Sequence, residues 1–262
     1  MEVYNGVAGL LVGIMVGITG VGGGALMTPI LVLLFGIAPV TAVGTDLWFA
    51  AITKLFGGGI HIRRKAVDWQ VLWRLSAGSL PAASVTLWVL SLLGMGKIAN
   101  QLTLFALGGV LFVTSVALLF KQRLHAVSSQ WRIREPVHFK KWQPALTVLM
   151  GGVLGVVVTL TSVGAGALGT VMLVYLYPFR MTAGKLVGTD IVHAIPLAVV
   201  AGTGYLLMGE VNIPLLLTLL AGSIPGVLLG SLLCHRLKEA WVRYLIAFVL
   251  AAVGVKMVWV FV

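Results

Sequence analysis

Charge is scarce in this chain. Only 10% of its 262 residues are charged and just 7 are acidic, where an ordinary soluble domain carries roughly 25% charged residues. Such a sequence cannot cover a soluble surface. Cysteine is nearly absent too: the single Cys234 excludes an intrachain disulfide and any paired-cysteine metal site. No Lys or Arg precedes the first apolar run, which begins "MEVYNGVAGL", so a cleavable secretory signal is not expected. What is present is apolar: 60% of the residues are hydrophobic and the mean hydropathy is +1.08. Runs long enough for the roughly 20 residues that cross a bilayer occupy about 39–60, 69–93, 99–120, 183–208, 213–234 and 240–262. Two more, about 3–36 and 144–178, are too long for one span. The chain is expected to be a multi-pass protein of the plasma (bacterial inner) membrane, with the lipid bilayer as its first partner.

The net charge of +11 does not point to nucleic acid, because the basic residues sit in short loops between apolar runs, as in cytoplasmic loops. Trp69, Trp73, Trp142, Trp241 and Trp259 stand near the ends of these runs, where amphipathic rings favour the headgroup region.

An internal repeat organises the rest. "TGVGGGAL" from Thr19 returns as "TSVGAGAL" from Thr161, 142 residues later; "VGTDL" from Val43 returns as "VGTDI" from Val187, and "AGSLP" from Ala77 as "AGSIP" from Ala221, both 144 later. "VDW" at Val67 and "VNI" at Val211 fit the same offset, each with an N-cap residue ahead of a helix. The chain therefore divides into a first membrane repeat (1–120), a basic cytoplasmic linker (121–142) and a second membrane repeat (143–262).

The basic connections are "HIRRK" (His61 to Lys65), the linker, the pair Arg180 and Lys185, and "HRLKEAWVR" (His235 to Arg243). The counterpart of "HIRRK" in the second half, "YLLMGE", has no basic residue. Equivalent loops thus lie on opposite sides, and the repeats are read as inverted. Inversion demands an odd number of crossings per half. Each overlong segment should then enter and leave on one side, as about 14 residues, a half-helix of roughly 21 Å, followed by a turn at the glycines. The expected fold is an all-α polytopic membrane protein of two inverted repeats, each a re-entrant broken-helix hairpin plus three transmembrane helices, with both termini outside.

Non-helical backbone at membrane depth is tolerated where protein buries it or it lines a cavity. Broken helices at corresponding places in two inverted halves are the usual pointer to a transporter's binding site. The substrate-binding candidates are therefore Thr19, Gly20, Gly22, Gly23, Gly24, Thr161, Ser162, Gly164 and Gly166 at the turns, with Thr45 and Thr189. Tight packing through small residues is the alternative reading of the glycines. Asp46 and Asp190 lie inside their spans, where an ionisable group is costly and so points to function; a hydrogen-bonded structural carboxylate is the alternative. With Lys54, Lys185 and His193 they form the coupling or gating set. Lys185, near a span start, can also snorkel. His193 lies three residues after Asp190 and has Phe49 at its matched position, and a lone histidine also serves packing. No metal-ligand cluster and no cofactor motif is expected.

The stretches "GVGGGALMTPILVLLFGIAPVTAVGTDLWFAAITK", "SVGAGALGTVMLVYLYP" and "LVGTDI" resemble the two signatures of the TauE/SafE family of sulfite exporters, and the likeness covers nearly the whole chain. Asp46 and Asp190 stand where many members have Ser, which marks a variant form. The resemblance implies a carrier, not an enzyme: a secondary exporter of small sulfur-containing anions such as sulfite, thiosulfate or organosulfonates. It carries over to the glycine turns and the Thr-Asp pairs; Lys54, Lys185 and His193 rest on the residues alone. Proton-coupled anion uptake, an intramembrane aspartyl protease using Asp46 and Asp190, and a channel or scaffold are the alternatives. Coupling to a proton or cation and assembly into a homo-oligomer stay open.

Overall fold

The computed structural model describes residues 6, 9–14, 24–94, 96–134, 136–177, 179–234 and 247–257, with the backbone alone described over 24–26, 118–141, 167, 183, 227–228 and 230–234. All regular elements among them are helices: α1 (9–14), α2 (Gly24–Leu33), α3 (Pro39–Arg63), α4 (Trp69–Leu93), α5 (Lys97–Arg134), α6 (Pro136–Thr161), α7 (Ala167–Leu176), α8 (Ala183–Leu207), α9 (Ile213–Cys234) and α10 (Ala247–Met257). Trp241, Trp259, the "HRLKEAWVR" loop and the candidates Thr19, Gly20, Gly22 and Gly23 lie outside the described residues.

Among the described residues the apolar runs coincide with helices, and four of these are long and apolar enough to cross a membrane: Trp69–Leu93, Lys97–Ala117, Trp142–Thr161 and Gly184–Leu207. α3 has the same 25 residues as α4 and α8 but carries Asp46, Lys54 and three consecutive glycines from Gly57. The first half of α3 lies in the interior along α8, burying Val43, Leu47 and Ala51 against Leu197, Ala198 and Ala201; of the three glycines only Gly58 meets a neighbour, Ile195. Trp69, Trp73 and Trp142 are exposed, as amphipathic anchors at a lipid boundary would be. The linker segment is not a loop. α5 runs on to Arg134 and α6 starts at Pro136, because 97–134 contains no proline and the first one met stands where helices accept it, in a first turn.

Matched positions in the two halves make matched contacts. A Cβ at Gly151 would strike the carbonyl of Leu75, and one at Gly155 that of Ser79; 142 to 144 residues away, Gly9 stands against Leu219 and Gly13 against Ser223 in the same way. Gly78 meets Val148 as Gly222 meets Gly6. Backbone is thus packed on backbone where α4 crosses α6 and where α9 crosses α1, which only glycine permits. The helix starts repeat as well. Asp68 caps α4 by accepting the N–H of Val71 (3.2 Å), and its own N–H donates to Thr189 Oγ1 (2.9 Å). Asn212 caps α9 through Leu215 (3.1 Å), and its N–H donates to Thr45 Oγ1 (3.0 Å). Both N-caps are those the sequence suggests.

α6 and α7 form a hairpin. After the turn at 162–166, the end of α7 comes back beside the start of α6: Gln143 Nε2 donates to the Leu176 carbonyl (2.7 Å) and Thr147 shares a hydrogen bond with Tyr177 Oη (2.8 Å). With 10 residues, α7 is about 15 Å long, half of a bilayer core. α2 also has 10 residues and follows the first glycine motif. On the face where α7 ends, Arg180 pairs with Asp68 (2.7 Å) and donates to Gln70 (2.8 Å), so the "HIRRK" loop and the Arg180 loop lie together.

Candidate functional site

The α6–α7 turn exists because three residues take up left-handed backbone: Ser162 (φ 57°), Gly164 (φ 118°) and Gly166 (φ 130°). Such angles suit glycine and are uncommon for serine. Thr161 holds the break open. Its hydroxyl accepts the N–H of Val163 (3.1 Å) and donates to the Val157 carbonyl (2.7 Å), so the helix ends on a side chain of its own. No side chain caps α7 at Gly166, which leaves the positive end of that helix toward the turn. Val163 is buried against Leu107, Leu111 and Leu250, anchoring the turn in the interior.

Around this turn the structure gathers residues from both halves. Asp46, fully buried on α3, accepts a hydrogen bond from Thr28 Oγ1 on α2 at 2.5 Å, while its Oδ1 has no partner. The Ser162 hydroxyl lies beside the same carboxyl without completing a hydrogen bond, and it too is buried and unpaired. Lys54, two turns further along α3, reaches across the halves and donates to the Ala165 carbonyl at 3.3 Å. Its ammonium lies within electrostatic reach of Asp190 and Asp46, though neither carboxylate closes an ion pair with it: the one ion pair among the described residues is Arg180 with Asp68. Asp190 is buried on α8 and stands over the start of α7, so close that a Cβ at Gly169 would meet its Oδ1. His193, one turn on, is buried with Nε2 against Ser79 Oγ (2.8 Å) and Nδ1 unpaired. The result is a buried centre with two carboxylates, one ammonium, one imidazole and several unfilled hydrogen-bonding positions.

The structure thus brings Asp46, Lys54, Asp190 and His193 near the turn that holds Ser162, Gly164 and Gly166. Thr161 serves the turn's backbone. Thr45 and Thr189 are buried, but their hydroxyls are spent on the ties to Asn212 and Asp68. Gly24 opens α2. Lys185 is exposed in the first turn of α8, its N–H capped by Thr182 (3.4 Å), and is not part of the cluster. Sequence reasoning passed over Thr28 and Ser79. Both belong to repeated positions, Thr28 with Thr170 and Ser79 with Ser223, which is the signal that could have raised them.

The pattern of the family described as "Sulfite exporter TauE/SafE" matches residues 6–257. The chain is 40% identical over 253 residues to the "Probable membrane transporter protein YjnA" of Bacillus subtilis (strain 168), covering 95% of this chain and 97% of that one. It is 26% identical to YdhB of the same organism, similarly named, over 84% and 85% of the two chains. MJ0441 of Methanocaldococcus jannaschii, again named as a membrane transporter, is 22% identical over 96% of this chain and 93% of its own. No solved structure matches.

Proposed function

Because the chain belongs to the sulfite exporter TauE/SafE family of membrane transporters, we propose that it is a secondary exporter of small sulfur-containing anions such as sulfite, thiosulfate or organosulfonates. The carrying observation is the buried turn at 162–166, with an uncapped helix start on one side and the Lys54 ammonium on its Ala165 carbonyl. Helix starts and lysine are both anion donors. Ser162, Gly164 and Gly166 would contact the anion, and the matched Thr19, Gly20, Gly22, Gly23 and Gly24 would form the second turn. Thr161, Thr45 and Thr189 would act by positioning, because their hydroxyls have backbone partners.

The halves are read as inverted, and the α6–α7 hairpin as re-entrant. Two observations support this: the reciprocal glycine contacts of α4 with α6 and α9 with α1, and the return of α7 to Gln143 and Thr147. Alternating access would rock the paired helices about this centre. Asp46, Asp190, Lys54 and His193 would serve gating or coupling. A monoanion leaving a negative-inside cell gains about 2.3 kcal/mol per 100 mV, so export needs no coupling ion.

Proton-coupled uptake is the second reading, favoured by the unpartnered Oδ1 of Asp46. An aspartyl protease fits less well. A dyad shares one proton between touching carboxylates, and Asp46 spends an oxygen on Thr28. The test is flux of labelled sulfite, thiosulfate, sulfate and a small sulfonate in proteoliposomes, with voltage and pH gradient set independently. Saturable flux that follows voltage alone supports export; flux that needs a proton gradient and is lost in Asp46→Asn and Asp190→Asn supports the second reading. Absence of flux for all four refutes the substrate class.

A further inference from the structure

We infer that the Asp190 carboxylate stands, at the start of α7, in the seat of the carried anion, so that an anion enters there only as Asp190 takes up a proton. The inference rests on reading the α6–α7 turn as the anion site, and it gives the proton of the second reading to Asp190 alone. A Cβ at Gly169 would collide with Asp190 Oδ1 and lie 3.2 Å from its Cγ. The carboxylate thus fills the space that a side chain on the third residue of α7 would take. Cα–Cβ bonds tilt toward a helix's N-terminus, so this oxygen lies on the side of the helix start, where N–H groups lack partners and negative charge is favoured. No side chain caps that start. Ser162, at the head of the same turn, adds a hydroxyl that is buried at 5% exposure and has no hydrogen-bond partner. Asp190 is the protein's own anion at a place prepared for one.

The two aspartates are held differently. In the first half Thr28 donates to Asp46, and the residue before it, Met27, is fully buried. At the matched places 142 residues on, Thr170 spends its one hydroxyl proton on the Gly166 carbonyl and Gly169 has no side chain. Asp190 therefore has room against the helix start and lacks the threonine that fixes Asp46. A fixed carboxylate belongs to the frame, whereas one resting on bare backbone can give its place to another anion. The other ionisable groups on the elements around Asp190 are Asp46, Lys54 and His61 of α3, the last beside Gly188, His193 on α8 itself, and Arg74 of α4 with its N-cap Asp68, whose N–H bonds Thr189. Residues 142–161 of α6 bring none, and α7 brings only Tyr175 near its far end. Asp190 is the nearest side chain to Gly169. With Asp190 ionised, an arriving anion would set two negative charges in one buried place, which disfavours one of them; a proton from solvent on the Asp190 carboxyl removes the conflict.

Sulfate, methanesulfonate and nitrate each keep one charge state from mildly acid to mildly alkaline pH, so any pH dependence of their binding belongs to the protein. Their Kd values are measured across that range for purified wild type, Asp190→Asn and Asp46→Asn in detergent, from the thermal stabilisation each anion gives. For wild type, the Kd of a bound anion should rise about tenfold per pH unit at the alkaline end, as one proton is taken up with each anion. Asp190→Asn should bind the same anion with a Kd that no longer moves with pH and lies below the wild-type value at the alkaline end. Asp46→Asn should keep the wild-type slope. A wild-type Kd indifferent to pH, a slope that survives in Asp190→Asn, or a slope lost in Asp46→Asn overturns the inference. So does the failure of all three anions to bind either wild type or Asp190→Asn. Should Asp190→Asn not be recovered folded, wild type decides alone: calorimetry in buffers of different ionisation enthalpy must find close to one proton taken up per anion at the alkaline end, and none taken up refutes the exchange. The substrate assignment stands or falls separately. An Asp190→Asn protein that binds nitrate with a pH-independent Kd supports the seat even where no sulfur anion is carried in the flux assay, whereas sulfur-anion flux with pH-independent wild-type binding refutes the seat and leaves the substrate class in place.

Discussion

Replacing Gly151 by alanine tests the packing of α4 on α6 directly. A Cβ there would collide with the Leu75 carbonyl oxygen and stand 3.0 and 3.1 Å from the Leu75 carbonyl carbon and Cα. All of these are backbone atoms, so no side chain can rotate away. Restoring ordinary contacts of roughly 3.5 Å requires the two helices to part by up to about 1 Å, opening the crossing that Gly78 and Gly155 also need closed. Such overpacking costs about 1–3 kcal/mol, against which alanine returns up to ~1 kcal/mol of helix propensity. Gly109 on α5 is the control, since a Cβ there meets nothing within 4 Å and only the propensity gain applies. The two variants should differ by the overpacking alone, an apparent Tm gap of about 2–12 °C at roughly 2–4 °C per kcal/mol. The assay is loss of the monodisperse peak on size-exclusion chromatography after heating in detergent, at one fixed heating rate because unfolding of such proteins is commonly irreversible. Gly9→Ala, whose Cβ would lie 2.6 Å from the Leu219 carbonyl oxygen, should behave like Gly151→Ala. Equal stability of the Gly151 and Gly109 variants would refute the argument that these glycines hold the crossing.

Three further outcomes are expected. Thr28→Val removes the hydrogen bond to Asp46 and leaves a buried acceptor unsatisfied, a loss of about 1–3 kcal/mol that Thr28→Ser should largely restore in the same heating assay. Arg180→Ala should cost no more than about 1 kcal/mol, because its side chain is 43% exposed and exposed ion pairs contribute little; Asp68→Ala should cost more, since Asp68 also caps α4, a role worth about 1 kcal/mol, and denaturation midpoints of the two variants decide the order. Lys185→Ala should change stability by less than about 0.5 kcal/mol, as exposed positions do, and keep wild-type flux in proteoliposomes, whereas Lys54→Ala should lose it.

Helices were legible because the bilayer demands them. The apolar runs at 39–60, 69–93, 183–208 and 213–234 agree closely with α3, α4, α8 and α9, since a run of that length has no other way to satisfy its backbone in lipid. The end of α5 was not legible from hydropathy, which falls at Lys121 while the helix continues to Arg134. Helix propensity and the lack of proline carry it on, and polarity does not end a helix in water. At the site, the repeat exposed the turn and both aspartates, because a motif kept in two copies stands out against a background of leucine and valine. Hydrogen-bond partners were harder. Thr28 meets Asp46 across 18 residues and Ser79 meets His193 across 114, and no local spacing encodes such pairs. Thr45 and Thr189 show the opposite difficulty. Their position beside each aspartate suggested a shared task, yet a hydroxyl has a direction, and these two point at the starts of α9 and α4.

The division of labour between repeated and unrepeated residues bears on how such a carrier would move. The repeated contacts are glycine against backbone and threonine against N–H, interactions that depend on close approach and tolerate little change in either half. The charges are unequal. Lys54 has Ala198 at its matched position, His193 has Phe49, and Asp68 has Asn212, which caps its helix equally well but offers no charge for an arginine. On the proposed inverted arrangement, identical halves would make the inward-open and outward-open states equally stable, because each state would be the other viewed from the opposite side. The Arg180–Asp68 pair joins the helix ends on one face alone, and nothing at Asn212 can repeat it on the other. An exposed pair of this kind contributes up to about 1 kcal/mol, enough to shift a balanced two-state equilibrium roughly fivefold. A frame kept symmetric by its glycines thus needs only a few unmatched charges to choose its resting side.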